Sequence, residues 1–125
     1  MRTLLLLSAL SLAACQESTP PPPAAQAAPQ ERQPKNVLGA EARALVSSGA
    51  LLVDVRTPDE FNELHVEGAR NIPLNELGRS LGSLPKDKPI VVYCAVGSRS
   101  AAAAGLLAKS GYDVRNLGAM ENWKR

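Results

Sequence analysis

The sequence predicts a single α/β domain over residues 37–125. Within that range, segments patterned like helices alternate with short apolar segments typical of strands, an order that is characteristic of α/β proteins. With 125 residues, of which 45% are hydrophobic and 21% charged, the chain has the length and composition of one globular domain. Aromatic residues make up only 3%, so the core is expected to rely on close packing of aliphatic side chains.

The first half of the domain is predicted to hold a helix, a strand and a second helix. Residues 41–46 are predicted to form the first helix. Residues 51–55 are a short apolar run, typical of a strand that is buried on both faces of a parallel sheet. Thr57 then caps the next helix, with Pro58 in its first turn and Glu60 placed to complete a capping box.

The second half of the domain is predicted to hold two strands and two helices. Residues 89–93 are its clearest strand, because they form a short apolar run rich in β-branched residues. The alanine-rich segment 100–110 follows as a helix that Gly111 ends. The other elements are an extended piece, a helix, a strand and a final turn, at residues 70–73, 75–84, 112–117 and 118–123.

Residues 1–14 are predicted to be a bacterial lipoprotein signal peptide. A short positive start is followed by an apolar run that is shorter than the roughly 20 residues needed to span a bilayer. The run Leu-Ala-Ala-Cys that ends at Cys15 resembles a lipobox, which makes Cys15 the predicted lipidation site. The alternative is an ordinary secretory signal in which Cys15 is incidental.

Lipidation of Cys15 predicts a domain that is anchored to a membrane of the bacterial cell envelope, on the periplasmic side. Gln16 next to the anchor resembles the pattern that permits sorting to the outer membrane in a Gram-negative source. Residues 15–36 are rich in Pro, Ala and Gln and are predicted to be an extended linker. A proline-rich ligand for another domain is the alternative.

Cys94 directly follows the predicted strand 89–93, where an open α/β sheet presents its ligand-binding groups. With Cys15 lipidated, Cys94 is the only thiol and has no disulfide partner in the chain. Loop amides and the start of the next helix favour the thiolate, and Arg99 adds a permanent positive charge. We therefore expect a nucleophilic thiolate; a buried cysteine that merely fills the core is the alternative.

The six residues from Cys94 to Arg99 are predicted to bind a small sulfur-containing anion. Gly97 is free to adopt the backbone angles that turn successive amides inward. Arg99 and these amides would hold thiosulfate while the Cys94 thiolate attacks its outer sulfur, which leaves a persulfide and releases sulfite. The substrate-binding amides are assigned to Ala95, Val96, Gly97 and Ser98.

Four motifs, taken in order, resemble those of rhodanese domains. They are residues 52–56, residues 65–73, Tyr93-Cys94 together with residues 97–100, and residues 117–123. This resemblance covers nearly all of residues 37–125. It implies a rhodanese-like small parallel sheet flanked by helices. It also implies a sulfurtransferase with Cys94 as the sulfur carrier and Arg99 as the substrate-binding cation, which passes sulfur to cyanide or a thiol.

The resemblance also implies that Asp54 and Arg56 support the active-site side of the domain, and a general base is the less favoured role for Asp54. The chain departs from the family at Ala95, where efficient thiosulfate enzymes often carry a basic residue. One lost charge-assisted contact costs about 1 to 3 kcal/mol, or about ten- to hundredfold in binding. Ala95 therefore favours a sulfur donor other than thiosulfate.

His65, the only histidine, is expected to be structural, because in the motif that it resembles this residue packs near the turn before Gly68. One cysteine and one histidine make a poor metal site, since a closed zinc site takes four ligands, and neither a metal nor a cofactor is predicted. A net charge of +2 without a basic stripe predicts no nucleic-acid partner.

Two other functions compete with sulfur transfer. A phosphatase or arsenate reductase of related fold would have five residues between its cysteine and arginine, whereas this chain has the four residues 95–98. The second alternative is a catalytically silent rhodanese-like binding module in the cell envelope. The sequence leaves the physiological donor, the acceptor and the oligomeric state open.

Overall fold

The computed structural model describes residues 32–125, and within them it shows an α/β domain built on a parallel sheet, as predicted. The strands are β1 (Lys35–Asn36), β2 (Leu51–Asp54), β3 (Arg70–Asn71), β4 (Ile90–Cys94) and β5 (Val114–Ala119). The helices are α1 (Gly39–Ser47), α2 (Pro58–Glu63), α3 (Leu74–Ser80) and α4 (Ser98–Lys109), with short 3-10 turns at Leu81–Ser83 and Met120–Lys124. The predicted signal peptide, Cys15 and most of the predicted linker lie outside the described residues.

The strands are ordered β1-β5-β4-β2-β3, and all their pairings are parallel. Helices α3 and α4 cover one face of the sheet, while α1 and the C-terminal 3-10 turn cover the other. None of the helices in residues 32–125 is long and apolar enough to cross a bilayer.

The central strand β4 is buried along its whole length, and its side chains alternate between the two cores. Ile90, Val92 and Cys94 belong to the core beneath α3 and α4. Val91 and Tyr93 belong to the core on the opposite face. Cys94 therefore ends the strand on the face that α4 covers.

The predicted capping box at the start of α2 is present. The Glu60 amide donates to Thr57 Oγ1 at 3.3 Å, and the Thr57 amide donates to Glu60 Oε2 at 2.9 Å. Pro58 occupies the first turn, where its missing N–H costs nothing. The cap thus fixes the Glu60 carboxylate over the N-terminus of α2.

The domain begins earlier than the sequence indicated, because β1 lies within the segment that was predicted to be linker. Lys35 and Asn36 pair with Arg115 and Asn116 on the edge of the sheet. Both strand residues are exposed. Backbone pairing at an exposed edge needs no apolar side chain, so hydrophobic patterning could not reveal this strand.

Other boundaries also differ from the prediction. Helix α4 begins at Ser98 rather than near residue 100, because Gly97 adopts a φ of +105° and reverses the chain directly before it. Strand β5 runs from Val114 to Ala119, later than predicted, and its pairing with β4 shifts register between Val92 and Tyr93. The predicted helix 75–84 divides into α3 and the 3-10 turn.

A buried ion pair ties the end of β2 to the segment that leads into β3. Arg56 Nη2 donates to Asp54 Oδ2 at 2.7 Å, Arg56 Nε lies 3.0 Å from both carboxylate oxygens, and the Arg56 amide donates to Asp54 Oδ1 at 2.9 Å. Arg56 Nη2 also donates to the Leu64 carbonyl at 2.6 Å. Both side chains are almost fully buried, so removal of either one would leave the other as a buried charge without its ionic partner.

Replacement of Asp54 by Ala should lower the free energy of unfolding by about 3 to 5 kcal/mol, because Arg56 would stay buried without its carboxylate. Urea denaturation measures this change. The control is Asp87→Ala at an exposed carboxylate, which should shift stability by less than about 0.5 kcal/mol. Equal stability of the two variants would show that the pair does not hold this end of the sheet.

Candidate active site

Cys94 is the last residue of β4, at the carboxyl edge of the sheet, and pairs with Ala119 of β5. Its exposed fraction is 0%. The Gly97 amide donates to Cys94 Sγ at 3.0 Å, and the Ser100 amide donates to the same sulfur at 3.4 Å. The sulfur therefore lies where two main-chain donors converge.

The local sequence explains why these amides point at the sulfur. Gly97 has a φ of +105°, in the left-handed region that favours glycine, and it directly precedes α4. Ser100 lies in the first turn of α4, where helix amides have no partner within the helix. The Ser100 hydroxyl donates to the Gly97 carbonyl at 2.9 Å and ties the loop to the helix. We call residues 95–100 the cradle.

The cradle favours the ionised form of Cys94. Burial opposes ionisation and is the largest single influence on this thiol. The hydrogen bonds from Ser100 and Gly97, aided by Val96, together outweigh burial and hold the pKa of the Cys94 thiol below its usual value. A larger fraction of thiolate than in a free cysteine is expected at neutral pH.

The structure places Arg99 in the first turn of α4, where the sequence predicted a substrate-binding cation. Its guanidinium is bound to Glu60 through two hydrogen bonds, Nη1 to Oε2 at 2.7 Å and Nη2 to Oε1 at 2.8 Å. Glu60 raises the pKa of Arg99, and Arg99 holds the pKa of Glu60 well below its usual range. The expected cation is thus already paired with a carboxylate.

Sequence reasoning assigned Glu60 only to the cap of α2 and missed this ion pair. Glu60 and Arg99 are 39 positions apart, and each lies in the first turn of its helix. A pair of single opposite charges at that separation gives no local pattern. The only usable signal was that α2 and α4 both begin at the carboxyl edge of the sheet, after neighbouring strands.

The remaining cradle residues contribute through their backbone or lie at the surface. The Val96 side chain is 79% exposed, and Ser98 is exposed as well. Ala95 is partly buried and adds no charge. Because Cys94 itself is closed to solvent, a reactant can reach its sulfur only if the loop or a neighbouring side chain shifts.

Of the other residues singled out from the sequence, Asp54 and Arg56 form the buried pair already described, at the same edge of the sheet as Cys94. His65 lies in the loop after α2. Its Nδ1 is 2.8 Å from the Phe61 carbonyl oxygen, and its ring stacks on Phe61 with the centroids 3.8 Å apart. These contacts belong to the end of α2 and not to the cradle.

A cavity of about 350 Å³ lies beside Arg99. Three apolar side chains, those of Val55, Pro73 and Leu74, form part of its wall. The rest of the lining comes from Arg56, Thr57, Asn75 and Arg99. Its two arginines are paired with Asp54 and Glu60, so the charge of each is offset within the protein.

Fold and site together define a class: an α/β domain with a cysteine at the end of a central parallel strand, held by main-chain amides of the loop and of the helix that follow. The model of the rhodanese-like domain family matches residues 39–125. The chain belongs to the rhodanese-like domain family.

The chain is also similar to two bacterial proteins and to one solved structure. The uncharacterised protein YqhL of Bacillus subtilis is 41% identical over 96 residues, covering 75% of each chain. Thiosulfate sulfurtransferase GlpE of Pseudomonas fluorescens is 35% identical over 92 residues, covering 72% of this chain and 84% of that protein. The crystal structure of a rhodanese-related protein from Thermoplasma volcanium superposes with a TM-score of 0.65 at 30% identity, over 72% of this chain and 90% of that one. Family and relatives support a sulfurtransferase activity in general.

Replacement of Gly97 by Ala should raise the pKa of Cys94 and lower the free energy of unfolding by about 1 to 2 kcal/mol, because alanine disfavours the left-handed φ. As the loop relaxes, the Gly97 amide turns away from the sulfur. Thiolate absorbance against pH and urea denaturation measure the two effects, in chains carrying Cys15→Ser so that Cys94 is the only thiol.

The control is Gly105→Ala in the interior of α4, where an added Cβ meets open space. This variant should gain about 0.5 to 1 kcal/mol in stability and keep the pKa of Cys94 unchanged. If Gly97→Ala lost stability but kept the pKa of Cys94, the Gly97 amide would not be what holds the thiolate.

Proposed function

We propose that this protein is a sulfurtransferase that carries sulfane sulfur as a persulfide on Cys94. The donor is thiosulfate or another persulfide or polysulfide, and the acceptor is cyanide or a thiol. The observation that carries the proposal is the position of Cys94 Sγ between the amides of Gly97 and Ser100. The relative GlpE, a thiosulfate sulfurtransferase by name, supports the same chemistry.

In the first half-reaction, the Cys94 thiolate attacks the outer sulfur of the donor. With thiosulfate, the new Sγ–S bond forms as the bond between the two donor sulfurs breaks, and sulfite leaves with the electron pair. The cradle amides stabilise the thiolate before attack, because they donate to Cys94 Sγ, the atom that forms the new bond. The product is a Cys94 persulfide.

In the second half-reaction, the acceptor attacks the outer sulfur of the persulfide. Cyanide forms thiocyanate, and a thiolate forms a new persulfide, while the Sγ–S bond breaks and its electron pair returns to Cys94. Departure of the cysteine as a thiolate is favoured by the same amides that lower its pKa. No outside oxidant or reductant is needed, because one sulfur atom moves with its oxidation state unchanged.

A catalytically silent binding module is the second candidate, and one observation favours it. Cys94 is fully buried beneath the cradle, so no donor can reach the sulfur without a local movement. A module that only binds a partner would need no such movement.

Incubation with thiosulfate or polysulfide should add one sulfur atom to the protein, as measured by intact mass spectrometry on the chain with Cys15→Ser. The same sample should form thiocyanate from cyanide. Cys94→Ser is the control, and it should show neither the added sulfur nor thiocyanate. A folded protein with a free Cys94 thiol that gains no sulfur from any donor would refute the enzyme and leave the binding module.

We also propose that the protein is a lipoprotein of the cell envelope, anchored through Cys15 with its domain on the periplasmic side, and in the outer membrane if the source is Gram-negative. The proposal rests on the lipobox-like run that ends at Cys15 and on the proline-rich segment after it.

In a bacterial host, the wild-type chain should incorporate labelled palmitate and fractionate with membranes, whereas Cys15→Ser should do neither. Cys94→Ser should behave like the wild type in both respects. Palmitate label that persists in Cys15→Ser would place the acylation elsewhere and contradict the anchor.

A further inference from the structure

The cradle contains one cation, Arg99, and this side chain already has a carboxylate partner. Arg99 binds Glu60 through both of its terminal nitrogens, at 2.7 and 2.8 Å. Glu60 is itself held in place, because its Oε2 accepts hydrogen bonds from the Thr57 amide at 2.9 Å and from the Thr57 hydroxyl at 3.0 Å. The carboxylate therefore stays beside Arg99 as part of the α2 cap.

This arrangement changes the charge that an incoming donor meets. Arg99 and Glu60 together contribute no net charge, and the adjacent Arg56 is balanced by Asp54. The position after the nucleophile is Ala95, which adds no cation. Attraction for an anion thus comes mainly from the backbone amides of the cradle, while the Cys94 thiolate repels a second negative charge.

The cavity beside Arg99 suits a different kind of donor. It measures about 350 Å³, and Val55, Pro73 and Leu74 give it apolar walls. Thiosulfate is a compact dianion with no apolar part to place there. An organic persulfide carries an apolar body next to its sulfane sulfur, and its protonated form brings no charge to the reacting end.

We propose that Glu60 is a specificity-determining residue that offsets the charge of Arg99, so that the site takes organic persulfides in preference to thiosulfate. This inference rests on the proposed sulfurtransferase function and names its donor class. The body of the persulfide occupies the cavity beside Arg99, and its sulfane sulfur meets Cys94.

The transfer step balances without a further reactant. The Cys94 thiolate attacks the outer sulfur of a persulfide R–S–S–H; the Sγ–S bond forms and the S–S bond between the two donor sulfurs breaks. The leaving thiolate R–S⁻ takes the electron pair and is protonated by water. The proton on the transferred sulfur stays with the new Cys94 persulfide.

The first test measures charge at the cradle without any turnover. Iodoacetate and iodoacetamide are similar in size and both alkylate Cys94, so the ratio of their rates reports local charge and cancels differences in access and in thiolate fraction. In Glu60→Gln, the rate of alkylation by iodoacetate divided by the rate of alkylation by iodoacetamide should rise about two- to tenfold at low ionic strength. This rise should be smaller in high salt. All chains carry Cys15→Ser.

Glutamine keeps an acceptor for the α2 cap, so Glu60→Gln should remain folded. The matched control is Glu63→Gln, which removes the same charge from an exposed position on the same helix. Its alkylation ratio should equal that of the wild type. A ratio in Glu60→Gln that equals the ratio in Glu63→Gln would overturn the proposal.

The second test separates donors by their kinetics. The wild type should show a higher kcat/KM with benzyl persulfide, whose ring supplies an apolar body, than with thiosulfate. Glu60→Gln should lower the KM for thiosulfate about two- to tenfold, with kcat nearly unchanged, and should leave the KM for the persulfide within about twofold. A merely structural role of Glu60 would move both donors alike and would overturn the proposal.

The two tests also distinguish this inference from the function on which it rests. If both donors persulfidate Cys94 but neither the alkylation ratio nor the thiosulfate KM responds to Glu60→Gln, the sulfurtransferase stands and the donor class is wrong. If neither donor persulfidates Cys94, the proposed function fails and the donor class fails with it, even where the alkylation ratio shifts.

Discussion

The site depends on the balance between the burial of Cys94 and the main-chain amides that reach its sulfur. A thiol with no exposed surface would ordinarily resist ionisation, because a charge is poorly solvated away from water. The amides of Gly97 and Ser100 replace that water with fixed donors at 3.0 and 3.4 Å. Since these donors belong to the backbone, their direction is set by the left-handed turn at Gly97 and by the start of α4, with no side chain to reorganise.

Two ion pairs at the carboxyl edge of the sheet support this arrangement, and each pair is neutral overall. The pair of Asp54 and Arg56 fixes the end of β2. The pair of Glu60 and Arg99 links the starts of α2 and α4. Arg56, predicted to support the site, and Arg99, predicted to bind substrate, thus both have carboxylate partners.

The sequence predicted those features that arise from local patterns. The apolar run before Cys94 placed the cysteine at the end of a buried strand, and Thr57 with Glu60 predicted the capping box that the structure contains. Features that arise from pairing across the fold were missed. Strand β1 forms by backbone hydrogen bonds alone on an exposed edge, and the partner of Arg99 lies 39 positions away. Neither leaves a periodicity or a motif in the sequence.

The most direct measurement of the central claim is an NMR titration of the Gly97 and Ser100 amides across pH, in the chain with Cys15→Ser and in the same chain with Cys94→Ser. If these amides hold the thiolate, both amide protons should move downfield as Cys94 loses its proton, with one shared midpoint below that of a free cysteine, and the movement should vanish with Cys94→Ser. Amide resonances that stay fixed while the thiol ionises would contradict the account.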